Sequence, residues 1–171
     1  MALMTDYFAS VGIVPGGSNN TVEATPGTGA PEILTAAGAG DNTEVIGNTI
    51  NRQTYGMPQS ALVCLQAFVN LADTETLSLA VEVQESSDGS TWDAAEVIEA
   101  ATIVKTADGA FTDLHTESYV INLGDRKQYF RVNVTPDLSA ASTDVAVVQW
   151  SVVLGGAWDP QLLPAHQAAD S

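Results

Sequence analysis

Asp113, His115 and Glu117 are the residues of this chain whose types and spacing could do chemistry together. At i, i+2 and i+4 on a strand they share one face. Two carboxylates and an imidazole form a donor set that a divalent cation accepts. The same spacing also describes a solvated strand face or a subunit contact, and the general excess of acid favours that reading. Cys64 and His115 are a conceivable thiol–imidazole pair, but both fall on strands with no group to activate the thiol. A serine triad lacks its Gly-x-Ser-x-Gly elbow beside either histidine, His115 or His166. There is no P-loop, dinucleotide fingerprint, His-Glu-x-x-His or paired-cysteine motif. The acidic turns Asp73-Thr74-Glu75 and Asp88 to Asp93 could hold calcium but lack the EF-hand spacing, so they read as solvated turns. In so acidic a chain no carboxylate pair stands out for glycoside hydrolysis. The expectation is a structural or binding protein, not an enzyme, with no catalytic residue, no resident metal and no cofactor.

Three tryptophans offer a different chemistry, since indole rings can form a sugar-binding platform. Trp150 falls in the apolar phase of its strand and reads as core. Trp92 follows a turn that it can pin. Trp158 lies in a proline-containing tail, where anchoring on a neighbour and packing over the domain's own end are equally open.

Charge narrows the partners. The 171 residues include 21 acidic and 5 basic ones, for a formal charge of −16. Binding a phosphate backbone draws on Lys and Arg to release counterions. Here Arg52, Lys105, Arg126, Lys127 and Arg131 are the whole supply, and only Arg126, Lys127 and Arg131 cluster. Direct binding to nucleic acid or to an anionic membrane is not expected. Cys64 is the only cysteine, so no intrachain disulfide forms, and its apolar surroundings read as those of an inert thiol. The first residues carry no basic region and no apolar stretch of signal-peptide length, and no segment reaches about 20 apolar residues. These features predict a protein that matures without Sec export in a reducing cytoplasm.

The elements that must position these residues are strands. Alternation marks Thr76 to Ser86, with Leu77, Leu79, Val81 and Val83 on one side, and Gln128 to Thr135, with Phe130, Val132 and Val134 inward. Pro136 is expected to stop that strand. Val45 to Gln53 reads as a modest strand, and Ala94 to Val104 as a strand with an irregular middle. Phe111 to Leu123 carries Tyr119, Ile121 and Leu123 in phase, and Thr143 to Leu154 carries Ala146, Val148, Trp150, Val152 and Leu154. Ser60 to Ala72 is apolar on both parities, as in a strand covered on both faces or facing a partner. Asp88-Gly89 and Asp108-Gly109 mark turns. About eight strands without an amphipathic helix predict an all-β fold, an antiparallel β-sandwich or jelly roll over residues 45–156. Residues 1–44 are rich in Gly, Pro and Ala and predict an extended arm held by a neighbouring subunit or packed on its own domain. Residues 157–171 form a tail.

The run Leu77-Ser78-Leu79-Ala80-Val81-Glu82-Val83-Gln84-Glu85-Ser86-Ser87-Asp88-Gly89-Ser90-Thr91-Trp92 resembles a pattern of tailed-phage virion proteins. So does Gln128-Tyr129-Phe130-Arg131-Val132-Asn133-Val134-Thr135, followed by a strand ending Val153-Leu154-Gly155-Gly156. Together, over about Leu62 to Gly156, they resemble small capsid decoration, or cement, proteins of bacteriophages. The resemblance implies a virion protein on the outer capsid surface, made in the host bacterial cytoplasm. It also implies binding to the major capsid protein and to itself, as a homotrimer. On this reading the candidate partner contacts are the apolar residues of arm and tail: Tyr7, Phe8, Ile13, Val14, Ile33, Leu34, Trp158, Leu162 and Leu163. Exposed edge strands or the doubly apolar Ser60 to Ala72 strand would build the oligomer. The alternative is a carbohydrate- or receptor-binding module of a fibre or head spike, carried by Trp92 or Trp158.

Overall fold

The structure, a computed structural model, describes residues 12–15, 32–35, 41–109, 111–139 and 144–157. Its strands are β1 (Gly12–Pro15), β2 (Glu32–Thr35), β3 (Ile50–Asn51), β4 (Pro58–Leu71), β5 (Thr76–Ser86), β6 (Glu96–Thr106), β7 (Phe111–Asn122), β8 (Tyr129–Leu138) and β9 (Val145–Ala157). One sheet has the order β1-β9-β4-β7, with β2 also on β9, and the other has the order β3-β8-β5-β6. Each strand pair is antiparallel. The fold is an antiparallel β-sandwich.

Period-two alternation explains the layering. In β5, Leu77, Leu79, Val81 and Val83 are buried, as are Phe130, Val132 and Val134 opposite them in β8. The other sheet contributes Val63, Leu65, Ala67 and Val69 from β4, and Ala146, Val148, Trp150, Val152 and Leu154 from β9. Each fully buried Val, Leu or Phe contributes about 1.5–3 kcal/mol relative to exposure. Trp150 is core, as its phase predicts. The irregular middle of Ala94 to Val104 is real: the β5–β6 register shifts three times, between Leu77 and Ser78, Leu79 and Val81, and Val81 and Glu82.

Two sequence expectations are corrected. Pro136 does not stop β8, which continues to Leu138 with Leu79 opposite Pro136. Val134 shares the parity of Pro136 and directs both its N–H and its C=O at Val45, while the Pro136 carbonyl accepts from Asn42 N at 2.9 Å. The missing proline N–H therefore faces the 41–45 segment and costs β5 no rung. Val45 to Gln53 is not one strand either. Val45 bridges Val134, Ile50–Asn51 forms β3, and Arg52–Tyr55 turns into 3-10 helix. Asn51 caps that turn by accepting from Gln53 N at 3.0 Å, and Gly56, in the left-handed region, ends it.

Residues 12–15 and 32–35, which fall in the stretch expected as an arm, are the strands β1 and β2. Both run antiparallel to β9 along the same edge, opposite residues 151–154 and 145–148 respectively.

Candidate interaction surface

Asp113, His115 and Glu117 do share a face of β7, and that face turns towards the seam between the two sheets. Their register partners on β4 are Val69, Ala67 and Leu65, all core. Lys105, from β6 of the other sheet, forms an ion pair with Asp113. That hydrogen bond, with the Leu114 N–H, holds the Asp113 carboxyl below the usual carboxylate range. His115 Nε2 lies 3.5 Å from Glu117 Oε2, and Tyr119 donates to the same carboxylate oxygen. Burial first, and then Glu117, push the Tyr119 phenol up. Among the described residues no group of three or more His, Cys, Asp or Glu is placed to hold a metal ion. Cys64 stands opposite Ser118 in register, on the other face from His115, so the structure does not bring that thiol and imidazole together.

The acidic turn at Asp88 is spent on its own geometry. Asp88 Oδ1 accepts from Ser90 N at 2.8 Å, Thr91 N at 2.7 Å and Ser86 Oγ at 2.9 Å. Gly89 occupies φ +75°, and an added Cβ would stand 3.3 Å from Tyr129 Cδ1, so any side chain there is strained. Asp73 similarly accepts from Gly109 N at 2.7 Å.

All 5 basic side chains have partners inside the domain. Arg126 bridges Glu85 at 2.7 Å and Glu96 at 2.8 Å, and Lys127 pairs with Asp93. Arg131 donates to Gln84 and lies over the Trp92 ring, 4.1 Å from its centroid. Asn133, which its phase placed outward, is nevertheless buried: it donates to Gln84 Oε1 at 3.0 Å and Glu44 Oε1 at 2.6 Å, and accepts from Gly47 N. Arg52 is buried, with its guanidinium donating to the carbonyls of Arg126, Lys127 and Pro58. The cluster Arg126, Lys127 and Arg131 is thus a set of internal braces.

Among the described residues, the outer face of β9, β4 and β7 remains uncommitted. Leu62 of β4 stands between Val153 of β9 and Val120 of β7, and Phe68 stands between Val147 and Leu114. Phe68 is 50% exposed, Leu114 54% and Val120 75%. The rows between and beside these two apolar ladders hold Cys64, Gln66, Asn70, Thr112, Thr116, Ser118, Gln149 and Ser151. No charged residue stands on this face of the three strands. Of the expected contacts, Ile13 of β1 and Ile33 of β2 pair in backbone register with Val153 and Val147, at the ends of the two ladders. Val14 and Leu34 pair with Val152 and Ala146. Tyr7, Phe8, Trp158, Leu162 and Leu163 lie outside the described residues. The doubly apolar strand Ser60 to Ala72 thus has one parity in the core and the other on this open face. The sequence reading missed Leu114 and Val120. Their signal was a second apolar phase on β7, opposite to that of Tyr119 and Ile121.

No protein-family model matches the chain, and no curated protein matches it. Among solved structures it is similar to the VP2 subviral particle of infectious bursal disease virus, with TM-score 0.49, 12% identity, and coverage of 90% of this chain and 35% of that one. It is also similar to the C-terminal family 22 carbohydrate-binding module of a Clostridium thermocellum xylanase, with TM-score 0.35, 12% identity, and coverage of 86% and 83%. The chain spans about a third of the length of the viral chains it matches.

Proposed function

We propose that the chain is a virion structural protein that decorates and cements the outer surface of a phage capsid by binding across neighbouring copies of the major capsid protein. The observation that carries this reading is the uncharged outer face of β9, β4 and β7, with two apolar ladders set among neutral polar rows, on a chain of formal charge −16. An uncharged face that exposes Phe68, Leu114 and Val120 on an otherwise acidic domain favours a protein partner over solvent. The resemblance of residues 77–92 and 128–135 to decoration proteins supports the same reading. The test is co-sedimentation of the purified chain with shells assembled from the major capsid protein of the same genome. Wild type is expected to bind and to raise the temperature at which the shells open. The double variant Phe68→Asp with Leu114→Asp is expected to stay folded and remain in solution. Failure of the folded wild type to bind sinks the reading.

A second reading, a carbohydrate- or receptor-binding module, is favoured by the polar cluster of Arg131, Gln84, Asn133 and Glu44 beside Trp92. It is weakened by the guanidinium that already covers the Trp92 ring. Glycan-array binding that disappears in Trp92→Ala would establish it in place of the first.

A further inference from the structure

We infer that two copies of this chain join through β7, edge to edge and antiparallel, about a two-fold axis that passes through Thr116. Among the described residues β7 is the terminal strand of its sheet, with β4 as its single strand neighbour. It is a strand of 12 residues without Lys, Pro or Gly, and its charges, Asp113 and Glu117, face the seam, where a second strand must answer them for the edge to pair. Its outer backbone N–H and C=O groups form a ready ladder for another strand.

The side chains select both the occupant and the register. A two-fold axis perpendicular to the sheet keeps each residue opposite one of the same parity. With Thr116 opposite its own counterpart, His115 faces Glu117 of the second copy and Glu117 faces His115, so the two ionisable positions exchange in complementary fashion. Centring the axis on His115 would oppose Asp113 with Glu117. Centring it on Glu117 would oppose that carboxylate with itself. Centring it on Leu114 pairs Asp113 with His115 but leaves the second half of β7 without a partner. The Thr116 register alone pairs nearly the whole strand with no like charges opposed.

Apolar burial agrees with that register. Leu114 falls opposite Ser118 and diagonal to Val120 of the second copy, within reach across adjacent rungs. Val120, 75% exposed in the single chain, gains Thr112 and Leu114 of the second copy beside it on the outer face. Val97 and Ile103, also exposed, belong to β6, the edge strand of the other sheet on this same side of the sandwich. The pairing also makes the uncharged outer faces of the two copies one continuous sheet surface. That outcome is independent of the capsid reading, because it concerns the free protein.

The experiment is sedimentation equilibrium of the full-length chain. Wild type is expected at twice the chain mass. Thr116→Lys places two like charges at the axis on an exposed position, and is expected to weaken association by roughly tenfold or more while circular dichroism stays unchanged. Thr116→Glu behaves likewise alone, and mixing the two variants restores a dimer that contains one of each. A wild-type monomer, a trimer, or a dimer indifferent to Thr116→Lys overturns the inference. A dimer that does not bind shells leaves it standing and removes only the capsid reading.

Discussion

At the scale of single residues, the largest departure from expectation is Arg52. Composition counts it among a few surface cations, but the fold buries it and makes it a brace. Its guanidinium ties the turn at Arg126 and Lys127 to the Pro58 carbonyl at the start of β4. Burial lowers its pKa, with Glu85 opposing the shift. Replacing Arg52 with Met keeps the stem and leaves three carbonyls without their donor. Urea denaturation is expected to show a loss of about 2–4 kcal/mol, and an unchanged midpoint would refute the bracing role. No sequence pattern announced this, because a lone arginine has no periodicity. Asp88 gives a second prediction. The Thr91 and Ser90 N–H groups, then the Ser86 hydroxyl, hold its carboxyl well below the usual range. A folded-state pKa lower than the unfolded one contributes stability above the unfolded value of about 3.9, and that contribution is lost as pH falls towards the folded one. Between about pH 5 and pH 2 wild type should therefore lose more stability than Asp88→Asn. Equal losses in acid melts of the two proteins would contradict the assignment.

At the scale of elements, strands with strict alternation were legible. In β5, β8 and β9 the phase read from the sequence is the phase found in the core. The alternation of β4 was legible too, and its second apolar parity was read as a covered or partner-facing surface. What was not legible depended on direction rather than composition. Pro136 looks like a stop until the edge that its nitrogen faces is known. Likewise, β1 and β2 are four residues each, too short for a period, and lie among Gly and Pro that read as an arm. The shared face of Asp113, His115 and Glu117 followed from spacing, but its turn towards the seam required Lys105 from the other sheet. Pairing also ranks the strands in stability. β4 is bonded on both sides along most of its length, by β7 and β9, whereas β6 is a bulged edge. Native-state hydrogen exchange should therefore find the slowest amides in β4, with those of β6 exchanging faster. Protection in β6 equal to that in β4 would contradict this ranking.

At the scale of the whole molecule, charge is the dominant fact. With 21 acidic residues against 5 basic ones, and each of those 5 engaged internally, the remaining carboxylates repel one another across the domain. Screening by salt should relieve that repulsion. Raising sodium chloride from about 0.02 M to about 0.5 M is expected to raise the thermal midpoint by a few degrees, read by differential scanning calorimetry. A flat or falling midpoint would mean that the braces, rather than the repulsion, set the balance. A different consequence follows from the split edge strand beside β9. Pro15 of β1 pairs with Ser151, and Glu32 of β2 pairs with Val148, so the end of β1 and the start of β2 stand only three β9 positions apart. Closing a longer excursion between the same two anchors costs little more, because closure entropy grows only with the logarithm of length. The domain therefore carries a built-in port. Foreign sequence whose own ends lie close together is expected to splice there with the sandwich intact, and a collapse of the thermal midpoint on such an insertion would contradict it.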